Sequence, residues 1–137
     1  MKVSVDLSFD GRCEEALAFY AKLLGGKILM KMTWGESPMA QHVPPEFAKK
    51  IIHATLAVGE QTIGGADSPP GRYQKPQGTW VTLDLDTPEE AERLYAALKD
   101  GGTEFMPLAE TFWARRFGML VDRFGTPWML NCGKPQP

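Results

Sequence analysis

His53 is the residue of this chain best suited to acid–base chemistry. An unperturbed imidazole titrates at about pH 6.5, so it can accept or release a proton close to neutrality. The residues around it, Ile51, Ile52 and Leu56, are apolar, and a core histidine satisfied by a neighbouring polar group explains the position equally well. We predict His53 as a catalytic acid or base, or as a hydrogen-bonding anchor for a ligand.

Two carboxylates are placed to support such chemistry. The segments Lys2–Phe9 and Thr79–Asp86 alternate apolar and polar residues with a period of two, which predicts half-buried strands. Side chains alternate between the two faces of a strand, so Asp6 and Asp84 fall on the face opposite the apolar residues. We predict Asp6 as a second catalytic residue and Asp84 as a ligand-binding residue. A strand face open to solvent explains both equally well.

The elements that position these residues come from an internal repeat. The stretch Glu14–Gly26, EEALAFYAKLLGG, recurs at Glu89–Gly102 as EEAERLYAALKDGG. Each copy has the apolar spacing of an amphipathic helix and ends in a glycine pair, which stops a helix. One strand precedes each copy and about three follow it. A repeat of this length is an internal duplication, so we predict an α+β fold of two tandem βαβββ modules.

The predicted halves span residues 1–65 and 79–133 of a single domain, 1–137. The linker between them, 66–78, is rich in proline, glycine and polar residues. The predicted elements of the first half are a strand at Lys27–Trp34, a long loop at Gly35–Lys50, and a hairpin of Ile51–Val58 and Gln61–Gly65. Those of the second half are a helix starting at Thr87-Pro88 and strands at Thr103–Thr111, Phe117–Asp122 and Thr126–Cys132.

Composition excludes several classes of partner. A net charge of −2 and a pI near 5.7 argue against nucleic acid, which requires a basic surface. No apolar run approaches the roughly 20 residues of a membrane span, and the alternating N-terminus is no signal peptide. Cys13 and Cys132 lack CxxC spacing, so we predict reduced thiols in a cytoplasmic protein. Cys13, near a helix start, could have a lowered pKa, but we expect it only to pack.

Several motifs carry a resemblance to a known family. They are FDGRCEEA at Phe9–Ala16 with Phe19-Tyr20, Gly35-Glu36-x-Pro38 with His53-Ala54, and ETFWARRFG at Glu110–Gly118 followed by DRFGTPWMLN at Asp122–Asn131. Together they resemble the PhnB-like proteins of the vicinal oxygen chelate superfamily, which have the glyoxalase and bleomycin-resistance fold. The resemblance implies curved mixed sheets that form a central cleft, in which metal-dependent members hold a divalent ion.

The metal-ligand positions that the resemblance implies are Ser4, His53, Trp80 and Met129. Only His53 is a good ligand for a divalent ion, because an indole has no usable lone pair and a thioether suits copper(I). Zinc sites need three or four nitrogen, oxygen or sulfur donors. We therefore predict no bound metal and no other cofactor. A one-residue slip that brought Asp6 or Asn131 towards His53 is the route by which a divalent site would arise.

The sequence thus predicts a module that binds a small aromatic or hydrophobic molecule. The residues expected to line the cleft are Ser4, His53, Trp80, Asp84, Met129 and Asn131. The alternative is a small-molecule enzyme, of lyase, isomerase, dioxygenase or metal-independent type, with His53 as acid or base. A third hypothesis is a scaffold role as a homodimer, since such folds commonly dimerise. Some PhnB-like proteins are named demethylubiquinone methyltransferases, but no glycine-rich strand-to-helix turn supports methyl transfer here.

Overall fold

The computed structural model describes residues 1–135 and divides into two compact units, Met1–Gln74 (unit 1) and Lys75–Pro137 (unit 2). Unit 1 contains β1 (Val5–Phe9), α1 (Cys13–Leu24), β2 (Lys27–Thr33), β3 (Ile51–Val58) and β4 (Gln61–Asp67). Unit 2 contains β5 (Val81–Asp84), α2 (Pro88–Lys99), β6 (Thr103–Ala109), β7 (Ala114–Val121) and β8 (Pro127–Gly133). Short 3-10 turns at Ala40–His42 and Pro45–Phe47 shape the loop between β2 and β3.

The two units have the same topology, as the internal repeat predicts. Unit 1 is a four-stranded sheet in the order β1-β4-β3-β2, and unit 2 has the order β5-β8-β7-β6. In each sheet the first strand pairs in parallel with the last, and the other pairs are antiparallel. The predicted α+β fold of two tandem βαβββ modules is therefore confirmed.

Local sequence explains where α1 ends and where α2 begins. The helix α1 ends at Gly25, which adopts a left-handed conformation (φ 68°) that residues with a Cβ avoid. The helix α2 begins at Thr87, whose hydroxyl accepts a hydrogen bond from the Glu90 backbone N–H over 3.2 Å, and Pro88 occupies the first helical position.

Each helix packs one apolar stripe against its own sheet. In α1 the fully buried side chains include Ala16, Leu17 and Tyr20, and the sheet of unit 1 contributes the buried residues Leu7, Phe9, Ala54 and Leu56. In α2 the buried stripe is Ala91, Leu94, Tyr95 and Leu98, against Leu120, Trp128 and Leu130. Burial of such side chains contributes about 1.5–3 kcal/mol each, so every unit has a substantial core of its own.

The strand boundaries differ from the prediction at a few positions. Strand β4 runs to Asp67 because that residue pairs with Phe9 of β1, so Ala66 and Asp67 belong to a strand and not to the linker. Ser4 and Trp80 lie just before β1 and β5. Residues 136 and 137 of the predicted domain lie outside the described residues. Among the residues described, neither 12-residue helix reaches the length and apolar character of a membrane span.

Candidate functional site

Each sheet has one face covered by its helix and a second, helix-free face. In unit 1, a Cβ added to Gly65 would lie 3.0 Å from Sγ of Cys13 on α1, so Gly65 faces the helix. Its neighbour Gly64 faces the other way, where an added Cβ would meet the carboxylate of Asp6. The helix-free face of unit 1 therefore includes Asp6 and, by strand alternation, His53 of β3.

His53 and Asp6 do not form a catalytic pair. Strand β4 separates β3 from β1, and the register aligns Asp6 with Gly64 and then with Thr55, one row away from His53. Two strand spacings amount to about 10 Å, beyond hydrogen-bond reach. His53 is exposed and lies beside Met32 of β2. Within residues 1–135 its side chain makes no hydrogen bond or ion pair, so nothing orients it as a base.

The helix-free face of unit 2 is richer in candidate site residues. A Cβ added to Gly118 would lie 2.9 Å from Cε2 of Tyr95 on α2, so the adjacent Phe117 and Met119 point to the helix-free side. The strand register places four more residues beside them, Thr82, Asp84, Met129 and Asn131. Met119 and Met129 are direct cross-strand partners and form the floor of this face.

A polar pair lies at one end of the methionine floor. The side-chain amide of Asn131 donates to Oδ1 of Asp84 over 3.3 Å. This contact fixes the orientation of the amide, because the opposite orientation would place two oxygens together. The amide oxygen of Asn131 is then buried, and no donor among the residues described reaches it. Unsatisfied buried acceptors are rare in folded proteins and mark positions with a function or a missing partner.

Aromatic rings border the methionine floor at both ends. Trp80 precedes β5 and Phe105 lies on β6, at the opposite edge of the sheet, yet their ring centroids are 5.1 Å apart. At the Asn131 end, Trp113 packs edge-on against Phe117 at 5.1 Å, and Phe112 packs against Trp113 at 4.7 Å. Phe105 and Phe112 are 66% and 89% exposed. We refer to the surface formed by Trp80, Asp84, Phe117, Met119, Met129 and Asn131 as the methionine face.

The predicted site residues thus divide between the units. Trp80, Asp84, Met129 and Asn131 all belong to the methionine face, whereas Ser4, Asp6 and His53 belong to unit 1. Sequence reasoning missed Met119, which the register of β7 against β8 places beside Met129. The sequence did contain a signal for it: Met119 and Leu120 are adjacent in a strand, so they point to opposite faces, and Leu120 is the buried one. The aromatic residues Phe112 and Trp113 lie exposed on the surface.

Comparison with known proteins gives the family. The family model described as 3-demethylubiquinone-9 3-methyltransferase matches residues 1–131. The chain is 36% identical to the protein YjdN of Escherichia coli K12, over 100% of this chain and 99% of YjdN. It is also 40% identical to PA1353 of Pseudomonas aeruginosa, with a TM-score of 0.89 over 98% of this chain and 99% of PA1353.

The chain belongs to this PhnB-like family. A PhnB protein from Bacillus cereus is 26% identical, with a TM-score of 0.83 over 97% of this chain and 100% of that protein. At 12% identity, a glyoxylase/bleomycin resistance protein/dioxygenase domain from Frankia has a TM-score of 0.66 over 98% of both chains and shows the shared fold alone. The resemblance to PhnB-like proteins of the vicinal oxygen chelate superfamily is confirmed.

The donors of this PhnB-like chain do not fit a metal site. In the described part of the chain, no group of three or more His, Cys, Asp or Glu side chains is close enough to hold an ion. On the methionine face the only carboxylate is Asp84, beside an amide and two thioethers, and a site of this kind lacks the donors that zinc requires. The register slip considered for Asp6 is absent, since Asp6 stays opposite Gly64.

The most distinctive PhnB-like motif, DRFGTPW, is structural. The carboxylate of Asp122 accepts hydrogen bonds from the backbone N–H groups of Phe124 and Thr126 at 2.8 and 3.0 Å and from Nε1 of Trp128 at 2.8 Å. Asp67 does similar work in unit 1, where its two oxygens accept from the backbone N–H groups of Cys13 and Ile51, each at 2.9 Å. Both carboxylates are buried and hold turns and a helix start in place.

The Cys13 thiol is unsuited to nucleophilic chemistry. Burial raises its pKa to about 12, and the nearby negative charges of Asp67 and Glu14 act in the same direction. Cys13 is the first residue of α1 and is fully buried. The PhnB-like chain therefore keeps Cys13 as a packing residue, as the sequence favoured, and a helix-lowered pKa is wrong.

Proposed function

We propose that this PhnB-like chain binds a small aromatic or hydrophobic molecule against the methionine face, without a divalent metal. The ligand's ring lies over Met119 and Met129, between the aromatic residues at the two ends of the face. Methionine side chains adapt to irregular apolar partners and make favourable sulfur–aromatic contacts of about 0.3–1.5 kcal/mol each. Such a surface suits a flat apolar ligand.

The observation that carries the proposal is the amide oxygen of Asn131. Asp84 holds the amide so that its oxygen is buried without a donor in unit 2. An unsatisfied buried acceptor costs about 1–3 kcal/mol of stability. A leucine at this position would avoid that cost, so the pair of Asp84 and Asn131 supports recognition better than it supports folding. A ligand hydroxyl or amine at this end would supply the missing donor once the side chains that cover the oxygen move aside, because the oxygen is closed to solvent in the free protein.

These features define the ligand by its chemistry. The methionine floor favours an apolar ring, and the pair of Asp84 and Asn131 favours a hydrogen-bond donor on that ring. A phenol meets both requirements, since its hydroxyl can donate to Asn131 or to the exposed carboxylate of Asp84. An anionic group at the same end would be repelled by Asp84. We therefore propose a neutral or cationic aromatic molecule with a hydroxyl or amino group.

The enzyme alternative depends on His53. The imidazole is exposed on unit 1 and is the best acid–base group of the chain, but Asp6 is two strands away from it. Binding is therefore favoured over catalysis. The family model is described as a methyltransferase, but we do not propose methyl transfer for this chain, because none of the site residues described above suggests such a mechanism.

Methyl-labelled methionine provides a direct test, since the chain has seven methionines and two of them form the floor. The probe is 2-naphthol, and its matched control is 2-methoxynaphthalene, which has the same ring but no donor. We expect 2-naphthol to shift the Met119 and Met129 methyl signals saturably, and 2-methoxynaphthalene to bind at least fivefold more weakly. Equal shifts at exposed methionines such as Met30 and Met32 would mean non-specific adsorption and would contradict the proposal.

The same samples separate binding from catalysis. Mass spectrometry of the recovered 2-naphthol should show an unchanged compound if the chain only binds it. Conversion that disappears in a His53→Ala variant would establish the enzyme alternative instead. A Gln61→Ala variant, altered at an exposed residue of unit 1 that is not a candidate site residue, serves as the control for His53→Ala.

A further inference from the structure

A cavity lies in unit 1, in the long loop between β2 and β3. Its volume is about 590 Å³, and it is lined by Trp34, Met39, His42, Pro44, Pro69, Pro70 and Arg72. This volume is within the range of roughly 300–1,000 Å³ typical of small-molecule pockets. The residues of the methionine face all belong to unit 2, so this loop pocket is a separate feature.

The lining of the loop pocket is apolar apart from two cationic or donor groups. Trp34, Met39 and three prolines provide the walls, and none of the lining residues is acidic. Arg72 carries a permanent positive charge, and within the part of the chain that the structure describes it forms no salt bridge. His42 adds a second group that can donate a hydrogen bond.

The wall that carries Arg72 is a rigid turn. The backbone N–H of Arg72 donates to the carbonyl of Pro69 over 2.9 Å, and Gly71 has a φ of 79°. This is the pattern of a type II turn, with proline at the second position and glycine at the third. The two prolines fix their own backbone angles, so the backbone of this wall loses little entropy when a ligand binds.

The opposite wall is also held in place. The Trp34 side chain is only 9% exposed, and its Nε1 donates to the backbone carbonyl of Asp67 over 3.1 Å. The Ser37 hydroxyl donates to the Trp34 carbonyl at 2.7 Å and accepts from the Met39 backbone N–H at 3.1 Å. The loop is therefore tied to the end of β4, and the pocket is preformed.

We propose that the loop pocket binds a small aromatic carboxylate. The ring packs against Trp34 and the prolines, and the carboxylate pairs with the guanidinium of Arg72, which matches a carboxylate in a two-point geometry. His42 donates to the same anion. The pocket should prefer an anionic ligand, because its lining contains a positive charge and hydrogen-bond donors but no acidic side chain.

The test uses 2-naphthoate as the probe and 2-naphthol as its neutral analogue, with methyl-labelled methionine as the readout. Met39 lines the loop pocket, whereas Met119 and Met129 report on the methionine face. We expect 2-naphthoate to shift Met39 saturably and to bind more weakly in 500 mM salt than in 50 mM salt, since salt screens the ion pair. We expect 2-naphthol to leave the Met39 methyl signal unshifted.

Two variants and a control complete the experiment. Arg72→Gln should raise the Kd for 2-naphthoate at least tenfold, and His42→Gln about threefold. Arg93→Gln, altered at an exposed arginine of α2, should leave the Kd unchanged. Unaltered signals of Met30 and Met32, on β2 of unit 1, will show that the unit with the loop pocket is folded in each variant of Arg72 and His42. An unchanged Kd in Arg72→Gln, an equal Met39 shift with 2-naphthol, or no shift with millimolar 2-naphthoate would each overturn the proposal.

Discussion

The indole N–H of Trp128 donates to the carboxylate of Asp122 over a distance of 2.8 Å, and both residues are buried in unit 2. The same carboxylate accepts the backbone N–H groups of Phe124 and Thr126. One side chain therefore closes the turn between β7 and β8 and fixes the largest fully buried residue of the core. The residues of the DxFGxPW pattern therefore have a role in folding, and no catalytic role is needed to explain them.

Replacement of Asp122 should therefore destabilise the protein severely. Asp122→Ala removes the carboxylate that accepts from three N–H groups, and the loss of such a hydrogen bond costs about 1–3 kcal/mol for each donor left buried. We expect a loss of about 3–4 kcal/mol in the free energy of unfolding, measured by urea denaturation with Trp fluorescence. Asp86→Ala, at an exposed aspartate of the same unit, is the control and should change stability by less than about 0.5 kcal/mol. A similar small effect for Asp122→Ala would contradict the structural role.

Substitution of the second glycine of each pair, Gly26 or Gly102, should also destabilise the protein. A Cβ added to Gly26 would lie 2.5 Å from the carbonyl oxygen of Ala57, and one added to Gly102 would be at least as close to the carbonyl oxygen of Val121. Backbone atoms inside a sheet cannot shift cheaply, so Gly26→Ala and Gly102→Ala should each cost about 1–3 kcal/mol. Chemical denaturation measures these costs.

Gly133→Ala is the matched control for the glycine variants. Gly133 has no atom within 4 Å of an added Cβ, and its φ is not positive. The stability of Gly133→Ala should stay within about 0.5 kcal/mol of the wild type. If all three alanine variants were equally stable, close approach of helix and strand would not be the reason for the repeated glycine pair.

These glycines show what the sequence could predict. The pair recurs because the first glycine takes a left-handed conformation (φ 68° at Gly25, 76° at Gly101) and the second allows a close backbone approach. Both constraints act between near neighbours in sequence or within one βαβββ unit, so a repeat with periodic apolar residues reveals them. The fold and the cap at Thr87 were predictable for the same reason.

The candidate site was less predictable, because it depends on pairing between distant strands. Alternation placed Asp6 on the polar face of its strand, but only the strand order shows that β4 separates it from His53. The same information puts Met119 beside Met129. The loop pocket depends on the hydrogen bond between Trp34 and the Asp67 carbonyl, 33 residues apart, which no periodicity indicates. The homodimer and the cytoplasmic location stay predictions.

Stability should fall at alkaline pH because of Cys13. Its pKa is about 9 when exposed and about 12 in the folded protein, so above pH 9 the unfolded chain loses a proton that the folded chain keeps. The unfolded state then binds fewer protons, and the free energy of unfolding falls by up to about 1.4 kcal/mol per pH unit until the folded thiol ionises. Below about pH 8 this contribution should be nearly constant, because the thiol is then protonated in both states.

Comparison with Cys13→Ala isolates that effect. Tyr95 also has a raised pKa, through burial and its hydrogen bond to Glu104, but it contributes equally in both proteins. Between pH 8.5 and 10.5 we expect the wild type to lose about 1–2 kcal/mol more stability than Cys13→Ala, as measured by urea unfolding at each pH. Parallel pH profiles would show that the thiol is not protected by burial.

Asn131 offers a test in which stability and binding move in opposite directions. Asn131→Leu removes the unsatisfied amide oxygen and the long hydrogen bond to the exposed Asp84, so we expect the free energy of unfolding to stay the same or rise by about 1 kcal/mol. Affinity for 2-naphthol should fall at least fivefold, because the acceptor is gone. Urea denaturation and methionine-methyl titration measure the two quantities in the same protein.

Thr82→Val is the matched control, because Thr82 lies on the same face and contacts Met129 through its hydroxyl over 3.7 Å. It preserves the shape of the methionine face and leaves the pair of Asp84 and Asn131 intact, so 2-naphthol should bind as it does to the wild type. A large loss of stability in Asn131→Leu would mean that the amide supports folding. The buried oxygen would then give no reason to place a ligand donor at this end of the face.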